Sequence, residues 1–290
     1  MSLKGLHSRI ALGTVQFGLD YGISNRSGKT SPDEVSKILD VASASSIHLL
    51  DTAFSYGDSE PVLGEKHAQE RFRITSKFPK ISPGDNIRNY LQTSLKRLRT
   101  TKIYGYLAHD PDSFTVTPGL WEELCELKRE SLVEKIGYSV YTVNQLRALL
   151  NSGFTPDIVQ LPYNVFDRRF ESEFSDLKEL GIEVHVRSPF LQGLLFLKSK
   201  DLSIHFNPVK SRLDLLQTLL PNPSELAAAL IMFCLQNTAV DYVVLGANDH
   251  MQLKQNMEAL GGDNAKSELV DLAIEDESIL LPYLWPRKGE

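Results

Sequence analysis

The sequence predicts an α/β protein built as a single (β/α)8 TIM barrel, and three observations carry that expectation. Short β-prone runs alternate with amphipathic helical segments along the chain, the β-prone runs number eight, and no glycine-rich nucleotide turn follows the first of them. Alternation of this kind calls for a parallel sheet covered by helices. An open nucleotide-binding sheet carries G-x-G-x-x-G after an early strand, and ALGTVQFGLDYG spaces its glycines differently. Eight repeats then favour closure into a barrel, whose usual size of ~250 residues fits this chain.

The strand candidates are residues 9–15, 47–52, 73–77, 103–110, 135–140, 157–163, 183–189 and 241–247. Each is short, rich in Ile, Val, Leu or Tyr, and bounded by Gly, Pro, Asp or Ser. Helical segments lie between them. SPDEVSKILDVASA starts on Ser31 as N-cap with Pro32 in the first turn, and places Val35, Ile38, Leu39 and Ala42 on one face. DNIRNYLQTSLKRLR, PGLWEELCELKRE, TVNQLRALLNSG, FESEFSDLKELG, NPSELAAALIMFCLQN and NDHMQLKQNMEAL continue the series. Residues 1–290 read as one domain, with an insertion at 190–222 between strand seven and its helix and a C-terminal extension at about 261–290.

Composition narrows the class. A hydrophobic fraction of 42% and a charged fraction of 23% are ordinary for a globular protein. The net charge of -6, with no long basic run, points away from nucleic-acid and membrane partners. LAAALIMFCL, the longest apolar run, is too short to span a bilayer, and the N-terminus lacks a signal-peptide pattern. Cys125 and Cys234 stand far apart in helical patterns, so they read as buried thiols in a reducing, cytoplasmic setting. No Cys/His spacing resembles a metal site. His48, His67, His185 and His205 belong to no recognisable cluster and read as surface or packing residues.

In a barrel of this type the C-terminal strand ends and the loops after them surround the active site. Four residues meet that rule: Asp51 after strand two, Tyr56 in the next loop, Lys77 ending strand three and His109 near the end of strand four. Each alone has an ordinary reading, as a helix cap, a packing ring or a solvated charge. Together they form a device for protonating an alkoxide as hydride arrives at carbon. A free tyrosine, with a pKa of about 10, is a poor acid–base catalyst near neutrality. A neighbouring ammonium is expected to lower that pKa, a carboxylate to hold the ammonium in place, and a histidine to bind the substrate oxygen.

These residues resemble those of the aldo-keto reductases, barrel enzymes that move hydride between a nicotinamide and a carbonyl or alcohol. DTAFSYGDSEPVLGE is similar to the family signature D-T-A-x-x-Y-G-x-[ST]-E-x-x-[LIV]-G, and ALGTVQFG resembles the first strand, whose Gly13 and Thr14 would border the cofactor. ITSKFP and YLAHDPD stand where the family keeps its lysine and histidine. The resemblance implies Tyr56 as general acid, Lys77 and Asp51 as its tuning pair, and His109 as the carbonyl-orienting group. It further implies cofactor contacts from Ser139 in GYSVY, Gln160 in VQLPYN, and Arg187 and Ser188 in VRSPFLQGLL. Val140 replaces a common asparagine, and Arg187 stands where many members place an aromatic ring against the nicotinamide. After strand eight, Gly246, Ala247, Asn248, Gln252, Gln255 and Asn256 would face the adenosine half. Asn248, Asp249 and His250 are poor substitutes for the family's basic run beside a 2′-phosphate, which leaves NADP and NAD both open, with Lys254 the one nearby cation.

The function expected from the resemblance is NAD(P)-dependent reduction of a small aldehyde, ketone or sugar-derived carbonyl. Two alternatives stand beside it: a nicotinamide-binding sensor subunit with little turnover, and a redox-neutral sugar-modifying enzyme that retains its cofactor. The substrate and the oligomeric state are not readable from these residues.

Overall fold

Every predicted strand forms, with ends within two residues of the expected ones: β1 Ile10–Gly13, β2 Leu49–Asp51, β3 Arg73–Phe78, β4 Ile103–Ala108, β5 Val133–Ser139, β6 Ile158–Pro162, β7 Glu183–Arg187 and β8 Tyr242–Gly246. The structure is a computed structural model that describes residues 3–82, 84–117, 119–261, 269 and 272–286. The strands run parallel in sequence order and close through β1–β8 pairing, from Ile10 opposite Val243 to Gly13 opposite Gly246. The expected barrel is therefore present.

Side chains alternate along a strand, so each strand serves two cores. Ile10 and Leu12 join the large apolar layer under the helices, while Ala11 belongs to the interior cluster with Leu49, Leu107, Ile158 and Val244. The same alternation puts Gly13, Asp51, Lys77, Ser139, Gln160, Arg187 and Gly246 inward at the C-terminal mouth. Moving down β7, it turns His185 and then Glu183 inward towards the opposite end.

The surrounding helices follow their sequence signals. In the helix Pro32–Ala44 the Ser31 hydroxyl accepts from the Glu34 N–H at 3.3 Å, and Val35, Ile38, Leu39 and Ala42 are all buried. Asn86, Thr142, Asn222 and Asp249 cap the helices Ile87–Leu98, Val143–Asn151, Pro223–Gln236 and His250–Ala259 in the same way. A cap of this kind contributes about 1 kcal/mol and each fully buried Leu or Ile about 1.5–3 kcal/mol, so packing of the apolar faces dominates.

The segment expected as an insertion is a set of 3-10 turns at Leu191–Phe196, Ser199–Asp201 and Ile204–Val209, followed by the helix Lys210–Leu219. It has its own apolar cluster. Leu194, Phe206, Leu213 and Leu216 pack with Leu230 of Pro223–Gln236 and with Leu272, Ile274, Ile279 and Leu280 of the C-terminal segment. Insertion and extension thus stabilise one another beside the barrel mouth. Residues 262–268, 270–271 and 287–290 of the expected extension lie outside the described residues. Among the described residues no single helix is long and apolar enough to cross a membrane. One pair bent by 110°, Ile204–Leu219 with Pro223–Gln236, fits by length and composition. Its Leu213, Leu216 and Leu230 are buried within the second cluster.

Candidate active site

The site is built on β2. Both carboxylate oxygens of Asp51 are taken from below: Lys77 Nζ donates to Oδ1 at 2.7 Å and Gln160 Nε2 to Oδ2 at 2.7 Å. Lys77 Nζ also donates to the Thr52 carbonyl at 2.9 Å, and the lysine side chain is fully buried. Burial lowers the Lys77 pKa, against the pull of Asp51. Charge and hydrogen bonds are therefore closed within this cluster, as a buried ion pair requires.

The loop carrying Tyr56 is fixed from β1. Thr14 donates its N–H and its hydroxyl to the Asp51 carbonyl at 2.9 and 3.0 Å, and Ser59 Oγ donates to the Thr14 carbonyl at 2.9 Å. The Tyr56 backbone then lies directly on Gly18, where a Cβ would sit 1.7 Å from the Tyr56 carbonyl oxygen. The next residue, Gly57, has φ +55, a left-handed conformation that glycine adopts without penalty. The Tyr-Gly pair after the β2 acid thus has a backbone reason: a tight reversal that holds the ring over the strand end.

Tyr56 and His109 meet edge to face with ring centroids 5.6 Å apart, and Lys77 Nζ lies 5.1 Å from the Tyr56 ring centroid. No hydrogen bond from a described residue reaches the Tyr56 hydroxyl or the His109 ring. Burial, then the Lys77 and Arg187 charges, push the His109 pKa down to about 4, so the imidazole is neutral at ordinary pH. One expectation is corrected. Lys77 was to lower the Tyr56 pKa, but burial and the Asp51 carboxylate raise it. The cation acting in the opposite sense is Arg187.

Asp51, Tyr56 and His109 line one cavity of about 420 Å³ at the mouth, and Lys77 lies beneath its wall. Of the predicted cofactor residues, Gly13, Thr14, Ser139, Gln160, Arg187, Ser188, Gly246, Asn248 and Gln252 line the same cavity. Ala247, Gln255 and Asn256 do not. Ala247 and Asn256 are buried, whereas Gln255 is exposed one helical turn beyond Gln252. Sequence reasoning missed Gln16, Tyr21, Tyr141, Gln192 and Tyr283, which also line the cavity. Gln16 had a legible position two residues beyond Thr14. Tyr283 had none, since it arrives from the docked C-terminal segment.

The β7 exit is conformationally unusual. Ser188, Leu191 and Gln192 have φ of 62, 45 and 53, and Gly193 has φ 90. Left-handed non-glycine residues cost of order 1–3 kcal/mol each and persist where surroundings enforce them. Here Asn164 Nδ2 donates to the Ser188 carbonyl at 3.0 Å, and the Gln192 carbonyl accepts from the Ile23 N–H at 3.0 Å. Arg187 leaves this loop towards β5: its Nη2 donates to the Val140 carbonyl at 3.2 Å and its guanidinium stands 4.1 Å from the Tyr141 ring centroid.

Beyond β8 the start of the helix His250–Ala259 is occupied by protein carboxylates. Asp249 Oδ1 accepts from the Gln252 N–H at 2.7 Å, and Glu34 Oε1 accepts from the His250 N–H at 2.8 Å. Hydrogen bonds from the His250 backbone and ring hold the Glu34 pKa down to about 2. Between β1 and β8, Gln16 and Gly246 line the cavity: Gln16 Oε1 is buried without a partner among the described residues, and the Gln16 amide packs on Gly246, where a Cβ would come within 2.7 Å of Nε2. An orphaned acceptor on a residue of the cavity wall fits a group carrying amide or hydroxyl donors, as a nicotinamide nucleotide does.

Comparison with known proteins agrees with this geometry. Residues 9–270 match the Aldo/keto reductase family. An Escherichia coli protein named NADH-specific methylglyoxal reductase is 31% identical over 178 residues, 51% of this chain and 54% of that one. The match thus spans about half the length of that relative. Uncharacterized oxidoreductase YqkF of Bacillus subtilis is 27% identical over 278 residues, covering 86% of this chain and 89% of its own. The holo form of aldo-keto reductase AKR11C1 from Bacillus halodurans shares the fold, with a TM-score of 0.71 at 24% identity over 88% of this chain and 87% of that one. The chain belongs to the aldo/keto reductase family.

Proposed function

We propose that the protein is an NAD(P)H-dependent reductase that converts the carbonyl of a small molecule to an alcohol, with Tyr56 as proton donor. The observation that carries this reading is the phenol and the neutral imidazole at one cavity wall, free of hydrogen bonds from the described residues, above the closed Asp51–Lys77–Gln160 cluster. Neutral His109 can donate one N–H to the carbonyl oxygen and orient it. The raised pKa keeps Tyr56 protonated, and an alkoxide forming within hydrogen-bond reach is basic enough to take that proton. Arg187 favours the phenolate left behind. Bound NAD(P)H would supply the hydride, held by Gln16, Ser139 and Gln160 and by the loop after β8. NADH is the preferred form in this reading, since Asp249 and Glu34 already occupy the donors that a 2′-phosphate would use. The relative named an NADH-specific methylglyoxal reductase supports that choice and places small 2-oxo compounds first on a substrate panel.

Barrel, insertion and extension act as one unit in this reading. The unpaired thiols Cys125 and Cys234 suit a reducing, cytoplasmic compartment. The test is consumption of NADH against a panel of aldehydes, 2-oxo compounds and sugars, repeated with Tyr56→Phe. Reduction by the Phe variant at the wild-type rate would show that the proton comes from another group.

A further inference from the structure

Several cations drawn away from solvent in this protein are compensated. Lys77 is paired with Asp51, Arg169 with Asp167, and Arg97 and Lys135 with Glu60 and Glu183. Arg9 donates to three backbone carbonyls, of Leu235, Asn237 and Val240. Half-buried Arg187 donates to one carbonyl, that of Val140, and no carboxylate among the described residues lies within salt-bridge distance of it. A guanidinium has five N–H donors, so most of its capacity is unused. Asp51 cannot turn to it, because Lys77 and Gln160 hold both carboxylate oxygens.

Its position is equally specific. Arg187 starts at the end of β7 and reaches past β6 to the end of β5, where the guanidinium stands over the ring of Tyr141. It lines the cavity together with Tyr56 and His109. With one N–H given to Val140 and the ring of Tyr141 beside Cζ, the guanidinium keeps N–H groups for an oxyanion, which it can bind through two parallel donors. With His109 neutral and Lys77 paired with Asp51, Arg187 is the cation at this cavity wall that lacks a carboxylate partner among the described residues.

We propose that Arg187 binds an oxyanion of the substrate, so that the preferred substrates are small carbonyl compounds carrying a carboxylate or a phosphate. This rests on the carbonyl-reductase reading and names its substrate class. In the reaction the C=O π bond is replaced by a C–H bond from the hydride and an O–H bond from the Tyr56 proton. One NAD(P)H is oxidised per carbonyl reduced, Tyr56 is reprotonated from solvent, and the oxyanion is unchanged.

The experiment uses the full chain with NADH and matched pairs: pyruvate against methyl pyruvate for a carboxylate, and glyceraldehyde 3-phosphate against glyceraldehyde for a phosphate. Wild type should favour the anionic member of one pair, which identifies the anion. Arg187→Gln should reduce the anionic-to-neutral ratio of kcat/KM by about 10–100-fold, the weight of a charge-assisted hydrogen bond. Arg187→Lys should restore part of that ratio. Wild-type preference for both neutral members, or a ratio unchanged in Arg187→Gln, overturns the proposal. So does a loss of NADH affinity in Arg187→Gln, by fluorescence titration, as large as the loss in ratio, since Arg187 would then serve the cofactor. If no carbonyl consumes NADH, the reductase reading fails and calorimetric titration with oxamate and inorganic phosphate judges Arg187 separately. Binding of either that is lost in Arg187→Gln supports the proposal, and absent or Arg187-independent binding overturns it.

Discussion

The barrel carries two polar clusters of nearly the same composition, one at each end. At the mouth stand Asp51, Lys77, Tyr56 and His109. At the floor stand Glu183, Lys135, Tyr104 and His185, with Arg73 and Tyr242. The floor cluster is closed on itself except at His185 Nδ1, which is buried without a partner among the described residues. Tyr104 donates to both Glu183 oxygens, at 2.9 and 2.7 Å, Lys135 pairs with Glu183, and His185 Nε2 lies 2.6 Å from Glu183 Oε1. Arg73 stands 4.3 Å from the Tyr104 ring centroid and donates to the Tyr242 hydroxyl. Burial opposes ionisation of Glu183, yet hydrogen bonds from His185, Lys135 and Tyr104 carry its pKa down to about 2. At the mouth the carboxylate and lysine are closed in the same manner, but the tyrosine and histidine face a cavity without hydrogen-bond partners among the described residues. Identical side-chain types therefore do different things: satisfied groups hold shape, and unsatisfied ones at a cavity wall are free to act on a ligand.

The largest effect that could break this comparison comes from removing one hydroxyl at each end. Tyr56→Phe should reduce kcat by about 10²–10⁴-fold, the usual weight of a positioned acid, with NADH affinity within about twofold and thermal stability unchanged. Tyr104→Phe should leave kcat intact and lower the unfolding free energy by about 1 kcal/mol. Paired turnover and thermal-melt measurements on both variants decide it. A catalytic loss in Tyr104→Phe as large as that in Tyr56→Phe would mean that floor and mouth are one coupled system.

The two ends also differ in how far they were legible. Strand order and barrel closure followed from alternation and count, because a parallel strand buried on both faces leaves a short apolar run and little else. The mouth could be read from Asp51, Tyr56-Gly57, Lys77 and His109, since each sits at a strand exit and Gly57 marks the required reversal. The floor could not. Lys135, Glu183 and His185 are spaced two apart or on different strands, and only the closed cylinder brings them together. His185 accordingly read as a surface or packing residue, whereas it is fully buried in a charged network with Nδ1 unpartnered. The groups that Arg187 meets were hidden for the same reason, as its reach to Val140 and Tyr141 depends on the curvature of the barrel. Tyr283 depends on docking of the C-terminal segment, which no local pattern encodes.

A smaller effect separates the ends by stability. Glu183→Gln leaves Lys135 and His185 without their carboxylate and should cost about 1–3 kcal/mol, discounted because Lys135 is about one-third exposed. Urea unfolding should show that loss with kcat unchanged. A cost below about 0.5 kcal/mol would mean that the floor network contributes packing and no electrostatic stabilisation.

Protonation sharpens the contrast further, because both ends carry a depressed pKa for opposite reasons. Glu183 is held near 2 by its partners, below the ordinary 4.5. Its stabilisation is complete above the unfolded value and is lost as pH falls from about 4.5 towards 2. His109 is held near 4 by burial and two cations, below the ordinary 6.5. The unfolded chain binds that proton first, so folded stability declines as pH falls from about 6.5 to about 4. His109→Gln should flatten the upper window and Glu183→Gln the lower one, measured as urea midpoints across pH. If His109→Gln leaves the slope between pH 6.5 and 4 unchanged, His109 is not held neutral by its surroundings.

The smallest effect lies at the edge of the mouth, where both behaviours meet. The carboxylates of Asp249 and Glu34 are engaged by backbone N–H groups of the helix start, yet they stand in or beside the loop assigned here to the cofactor. If groups engaged in this way only hold shape, removing one should lower stability and leave cofactor preference alone. If the loop lies beside the adenosine ribose, the same change should alter which cofactor binds. Asp249→Arg tests both at once. Loss of the cap should cost about 1 kcal/mol of stability. A new guanidinium beside a 2′-phosphate would gain a charge-assisted hydrogen bond, but Glu34 remains nearby to compete for it. The expected net result is a shift towards NADPH of about 1 kcal/mol, roughly fivefold in the ratio of dissociation constants. Fluorescence titration of wild type and variant with NADH and NADPH measures it. An unchanged ratio together with the stability loss would make Asp249 a cap alone. Wild-type affinity for NADPH hundreds of times above that for NADH would place the phosphate on other residues and remove this loop from the cofactor site.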